Sequence, residues 1–89
     1  LNSVDAQAFW KNSHEVDALM GDVPIEVKYQ EHISDSDFKG LREFMKKFRQ
    51  NSGIMVTKKD ERTVKNPEGN VRLVPAWKFL LEGRKSAEG

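Results

Sequence analysis

From Glu15 to Met20 the chain alternates, with Val16, Ala18 and Met20 on one side and Glu15, Asp17 and Leu19 on the other. A period of two marks a strand, because successive side chains leave opposite faces of the pleat. Gly21-Asp22 is a turn signal. The alternation then resumes with Ile25, Val27 and Tyr29 against Glu26, Lys28 and Gln30. Pro24 precedes this second strand, where no ladder donor is needed. Further upstream, Ala8 to Lys11 carries Phe9 and Trp10 and runs into the polar turn Asn12-Ser13-His14. The N-terminal third of the chain therefore reads as a three-stranded meander.

The period then changes. Phe38, Leu41, Phe44, Met45 and Phe48 recur at spacings of three and four, the pattern of an amphipathic helix. Ser34-Asp35-Ser36-Asp37 offers N-caps and places acidic groups at the positive end of that helix. Lys39, Arg42, Glu43, Lys46 and Lys47 fall on its outer side, and Asn51-Ser52-Gly53 is expected to end it through a left-handed cap. Ile54 to Thr57 is short, apolar and β-branched, which predicts a buried strand; strand, helix and strand together imply a parallel crossover. Lys58 to Asn70 reads as a charged loop with a turn at Asn66-Pro67-Glu68-Gly69, and Val71 to Val74 as a further strand. Pro75 suits the start of a last helix in which Trp77, Leu80 and Leu81 would face the core. The expectation is an α/β fold, a small mixed β-sheet with flanking helices, with its domain at 8–82, a disordered or truncated lead-in at 1–7 and a flexible tail at 83–89.

Composition narrows the class. Eighty-nine residues suit one domain, and 37% hydrophobic with 33% charged residues describes a polar but foldable chain. With no cysteine there is neither a disulfide nor a thiolate metal site, which fits an intracellular, cytoplasmic setting. No apolar run is long enough to span a membrane, and Asn2, Ser3, Asp5 and Gln7 break any signal-peptide core. The absent initiator Met suggests a fragment or a processed chain. A net charge of +1 neither requires nor excludes a nucleic-acid partner.

Within this frame one constellation carries chemistry. Glu26 and Lys28 leave the same face of their strand, and Asp17 lies on the strand joined to it by a tight turn. If Asp17 emerges at the facing position, two carboxylates and an ammonium converge on one edge of the sheet. Hard divalent cations such as Mg²⁺ take oxygen ligands, often one or two carboxylates completed by water and phosphate. A cation there could activate water toward a phosphodiester, with Lys28 orienting the water or offsetting developing charge. Gln30 shares the face and could add a polar contact. A Glu/Lys pair within an alternating strand is more commonly a solvated face, so the triplet is weak alone and gains weight from Asp17, the hairpin and the following strand-helix-strand order.

Asp17 followed by Pro24-Ile25-Glu26-Val27-Lys28-Tyr29 resembles the signature of the PD-(D/E)xK nuclease superfamily, which includes restriction enzymes and archaeal Holliday-junction resolvases. More closely, Phe9-Trp10, Glu15-Val16-Asp17, Pro24 to Tyr29, Gly40-Leu41, Gly53-Ile54, Val56-Thr57, Val74-Pro75-Ala76-Trp77 and Phe79-Leu80-Leu81 resemble the C-terminal domain of archaeal and bacterial AAA-type ATPases. The resemblance implies a restriction-endonuclease-like core, with Asp17 and Glu26 as Mg²⁺-binding carboxylates and Lys28 as the catalytic lysine. It also implies an N-terminal ATPase domain as partner. No Walker pattern occurs in this sequence, so ATP binding does not carry over to it. Active superfamily members also draw an acidic residue from a helix before the first strand, and Asp5 is the nearest candidate here. Three functions follow as alternatives: an accessory DNA-associated domain of an ATPase, an active Mg²⁺-dependent DNA nuclease, or a non-catalytic protein-interaction domain.

Other features favour plainer roles. Lys39, Arg42 and Lys46, with Lys47 and Arg49, could contact phosphates, although Glu43 interrupts the patch and a solvated helix face is the ordinary reading. His14 and His32 fall in predicted loops without metal-ligand spacing. Trp77 is expected in the core rather than stacked on a base; Trp10 fits either role.

Overall fold

The computed structural model describes residues 16–88, and their side chains as far as Arg84. The expected strand at Ala8 to Lys11, the turn at 12–14 and the lead-in at 1–7 lie outside the described residues, as do Asp5, Trp10 and His14.

The hairpin forms where the alternation predicts it. Strand β1 (Ala18–Met20) pairs antiparallel with β2 (Val23–Lys28), Ala18 opposite Ile25 and Met20 opposite Val23. Gly21 has φ +63° and Asp22 does not have a positive φ, the pattern of the two-residue turns that match strand twist. Pro24 lies inside β2, fully buried, rather than ahead of it. β1 is shorter than the alternation implied, and the faces are reassigned: Val16 and Leu19 join one core cluster while Ala18 joins the other. The chain bends at Asp17, whose side chain is used by the neighbouring strand.

A 3-10 turn (Asp35–Phe38) leads into helix α1 (Lys39–Phe48). Asp37 Oδ2 accepts from the Ser34 backbone N–H at 2.8 Å and from the Gln30 amide at 2.9 Å, so the acidic cap organises the entry loop. The helix ends differently from expectation. Arg49 takes the left-handed cap at φ 56°, and the Gln50 N–H bonds Met45 O. Neither Asn51 nor Gly53 is the cap. Gly53 belongs to β3 (Ser52–Thr57), where a Cβ would stand 3.0 Å from Met45 Sδ. Its small size lets α1 lie close on the sheet.

Residues 58–61 are irregular as expected, but the rest of the expected loop at 58–70 is a hairpin. Arg62–Asn66 forms β4, which returns through Pro67-Glu68 to β5 (Gly69–Pro75). β4 carries one apolar side chain packed on the core, Val64, and the other side chains are polar, the composition of a strand at a sheet edge. Gly69 has φ +146°, and a Cβ there would fall onto the Asn51 backbone, whose carbonyl accepts from Asn70 N–H at 3.0 Å. β3 and the hairpin meet at this glycine.

The sheet order is β1-β2-β3-β5-β4, with β2, β3 and β5 parallel and both edge strands antiparallel. The fold is thus a small mixed α/β sheet with helices, as the sequence implied. Helix α1 covers one face: Leu41, Phe44 and Met45 pack on Met55, Val71 and Leu73, all at most 1% exposed. At roughly 1.5–3 kcal/mol for each large apolar side chain buried, this face dominates the stability. Helix α2 (Ala76–Glu88) lies on the other face, contributing Ala76 and Phe79 against Ile25, Val56 and Val74. The expected inward stripe of α2 is therefore corrected. Trp77, Leu80 and Leu81 are 63%, 69% and 45% exposed, because Phe79 and Ala76 take the sheet-facing positions. The helix continues through Gly83 to Glu88. Among the described residues no helix is long and apolar enough to cross a membrane.

Candidate functional site

Asp17 stands one residue before β1. Its backbone N–H bonds Ile25 O at 3.0 Å, and its Oδ2 accepts from the Val27 N–H at 2.8 Å. The carboxylate thus takes the place of a ladder carbonyl beyond the end of β1, which fixes it beside the strand segment that carries Glu26 and Lys28. On β2 those two side chains share the face covered by α1, with Glu26 beside Met55 and Lys28 beside Thr57 in the parallel ladder. The Glu26 side chain is 17% exposed and that of Lys28 32%, and Lys28 Nζ lies 3.7 Å from Glu26 Oε2.

The electrostatics follow from this placement. Burial pushes the Glu26 carboxyl above its ordinary range, the nearby Asp17 charge pushes it further, and Lys28 pulls it back. A half-buried carboxylate beside a second one, only partly balanced by a lysine, leaves excess negative charge. That is an arrangement a cation would relieve. The hairpin brings together all three residues singled out from the sequence.

The structure places the remaining candidates elsewhere. The Gln30 amide nitrogen donates to His32 O at 3.0 Å and to Asp37 Oδ2, so it braces the loop before α1. Lys39, Arg42 and Lys46 line an open pocket of about 240 Å³ with Asp35, Glu43 and Glu68. Arg42 Nε donates to Glu68 Oε1 at 2.9 Å and holds the Glu68 carboxyl below its usual range. This pocket has as many acidic as basic lining residues and shares none with the Asp17, Glu26 and Lys28 group.

A family model for a domain of unknown function, DUF4143, matches residues 2–79. The chain belongs to this family. No curated protein and no solved structure matches it.

Among the described residues of this DUF4143 domain, no three of His, Cys, Asp and Glu are grouped to hold a metal ion. The donors at hand are the two carboxylates, with Asp17 Oδ2 already bonded to Val27. Two hard oxygen donors without sulfur or imidazole fit Mg²⁺ or Mn²⁺, which retain several waters, and do not fit a closed zinc site. Sequence reasoning missed the charged residues that the parallel register brings alongside. Lys28 pairs with Thr57, so Lys58 and Lys59 follow at the end of β3 and reach Glu31 at 2.8 and 3.3 Å. The signal was a Lys-Lys pair directly after a predicted parallel strand.

Proposed function

We propose that this DUF4143 domain is a nuclease-like, DNA-associated accessory domain of a P-loop ATPase, with a divalent-cation phosphodiester site at Asp17, Glu26 and Lys28. The observation that carries the reading is the Asp17–Val27 hydrogen bond, which sets one carboxylate beside a second and a lysine. The resemblance of Asp17 and Pro24 to Lys28 to the PD-(D/E)xK pattern supports the same assignment. Asp17 and Glu26 would hold the cation, which when bound supplies a Lewis acid that lowers the pKa of water and offsets charge on a phosphoryl group. Lys28 then presents its ammonium to a phosphate oxygen, and its pairing with Glu26 keeps it at the same edge. Glu26 must be ionised to bind the cation, so its raised affinity for a proton makes binding strengthen with pH. A cytoplasmic setting, where DNA and ATP are both available, belongs to this reading.

A second reading, a domain that docks on DNA without cutting it, is favoured by the lack of a third acidic donor among the described residues. Calorimetric titration with Mg²⁺ and Mn²⁺, together with incubation on linear and branched DNA, separates the two. The phosphodiesterase reading expects cation binding and cleavage that Asp17→Asn and Glu26→Gln both abolish. Cation binding without cleavage selects the docking role. DNA cleavage that persists in both variants eliminates this site.

A further inference from the structure

We propose that the rim formed by the carboxyl ends of β2, β3 and β5 binds unpaired bases of a nucleic acid, with Tyr29 and Trp77 as stacking platforms and Lys58 and Lys59 as phosphate contacts. This names the substrate class of the candidate site and rests on the DNA reading above. The parallel register sets Lys28, Thr57 and Pro75 level across three neighbouring strands. Beyond these ends come Tyr29 from β2, Lys58 and Lys59 from β3, and Trp77 on the first turn of α2 after β5. Adjacent strands are about 4.8 Å apart, so the ends of β2 and β5 are separated by roughly 10 Å, with the lysines between.

Two observations make this rim more than an ordinary charged edge. Tyr29 is 64% exposed and Trp77 63%, while the buried core is built from Phe, Leu, Met, Val and Ile. The domain's one tyrosine and one of its two tryptophans thus present open rings at one end of the sheet. Lys58 Nζ lies 6.0 Å from the Tyr29 ring centroid and 2.8 Å from Glu31 Oε2, and Lys59 shares the same carboxylate. That carboxylate side chain is 59% exposed, so both lysines are held at the rim by a solvent-screened contact that a phosphate can replace. Aromatic faces interleaved with cations suit single strands, because every base has a face to stack and duplex bases are stacked already. A strand seated there passes one residue from Lys28, placing its backbone at the candidate site.

The test uses a fluorescein-labelled oligothymidylate of about twelve nucleotides and a blunt hairpin duplex of matched length, followed by anisotropy in EDTA. The single strand is expected to bind more tightly than the duplex. Tyr29→Ala and Trp77→Ala should each weaken it about tenfold or more, while Tyr29→Phe binds like the parent chain. Lys58→Gln with Lys59→Gln should flatten the salt dependence. Leu80→Ala, equally exposed on α2, should change nothing, and circular dichroism confirms that each variant is folded. Equal or tighter duplex binding, no loss in Tyr29→Ala and Trp77→Ala, or an equal loss in Leu80→Ala overturns the proposal. Because EDTA removes the cation, single-strand binding without any metal-dependent cleavage upholds the rim and sinks only the phosphodiesterase. Cleavage that ignores Tyr29 and Trp77 does the reverse.

Discussion

The two faces of the sheet are built to different standards. Under α1, six side chains from the helix and strands are at most 1% exposed, and Phe44 and Phe48 stack at 4.6 Å between centroids. Under α2, Ile25, Val56 and Val74 are buried, yet Met20, Val27, Trp77, Leu80 and Leu81 remain 45–69% exposed. The first face is a core. The second is a partial cover whose outer surface is apolar but makes little of the domain's internal packing. The candidate site lies where the covered face runs out, at the end of β2, where Lys28 stands beside the half-buried Glu26 and the Val27 N–H donates to Asp17.

The largest effect should come from the first face. Phe44→Ala removes a ring that is 1% exposed and packed against Phe48, and a cavity of that kind costs about 3–5 kcal/mol. Such a loss is comparable with the whole stability of a small domain. Urea unfolding should show the variant largely unfolded at room temperature. A loss below about 1 kcal/mol, the range of surface substitutions, would mean that the two faces do not differ as described.

At the border between the faces, Asp17 has a structural role and a proposed chemical one, which two substitutions separate. Asp17→Ala leaves the Val27 N–H without its acceptor and should cost about 1 kcal/mol, read as a lowered urea midpoint. Asp17→Asn keeps an oxygen acceptor and removes the charge. It should fold like the parent chain and lose cation affinity in calorimetry. Equal destabilisation by both would show that the charge, not the hydrogen bond, anchors the hairpin end.

This double role explains what was legible in the sequence. The hairpin, α1 and β3 were readable because their apolar positions repeat with the period of the element and point at one core. Asp17, Glu26 and Lys28 were readable as a group because the tight turn Gly21-Asp22 sets their separation. β4 was not, since an edge strand packs a single residue, Val64, on the core and otherwise looks like a charged loop. The outward turn of Trp77, Leu80 and Leu81 was hidden for a different reason. Apolarity alone does not say which side of a helix meets the sheet, and Phe79 with Ala76 won that position. Nor could the helix cap be read, because Arg49 rather than a glycine or asparagine adopts the left-handed conformation.

A smaller effect should appear in the pH dependence of the site. Glu26 binds its proton more tightly in the folded chain than in the unfolded one, chiefly through burial and then through Asp17. Between its unfolded value near 4.5 and its raised folded value the folded state therefore carries more proton. By linkage its contribution is fully favourable below that window and is lost as pH rises through it. Glu26→Gln should remove this slope, so that the variant gains on the parent chain as pH rises from 4 toward neutrality, read as thermal midpoints at matched ionic strength. Adding Mg²⁺ should close the gap for the parent chain alone, since the cation offsets the same excess charge. A parent chain whose midpoint rises relative to Glu26→Gln over this range would reverse the assigned sign.

The smallest effect belongs to the second face, and it is the sharpest check on the comparison. Leu80 is 69% exposed on α2 and outside both core clusters, so Leu80→Lys removes little packing and adds a solvated charge. Its unfolding free energy from urea titration should stay within about 0.5 kcal/mol of the parent chain. The same change at a position of the first face would be ruinous, because an unpaired ammonium would be buried. If Leu80→Lys instead destabilises by more than about 1.5 kcal/mol, the outer side of α2 is covered in solution by other parts of the chain or by a partner. Size-exclusion chromatography of the parent domain then decides between those two, since a partner that is a second copy shortens its elution and a covering segment of its own chain does not.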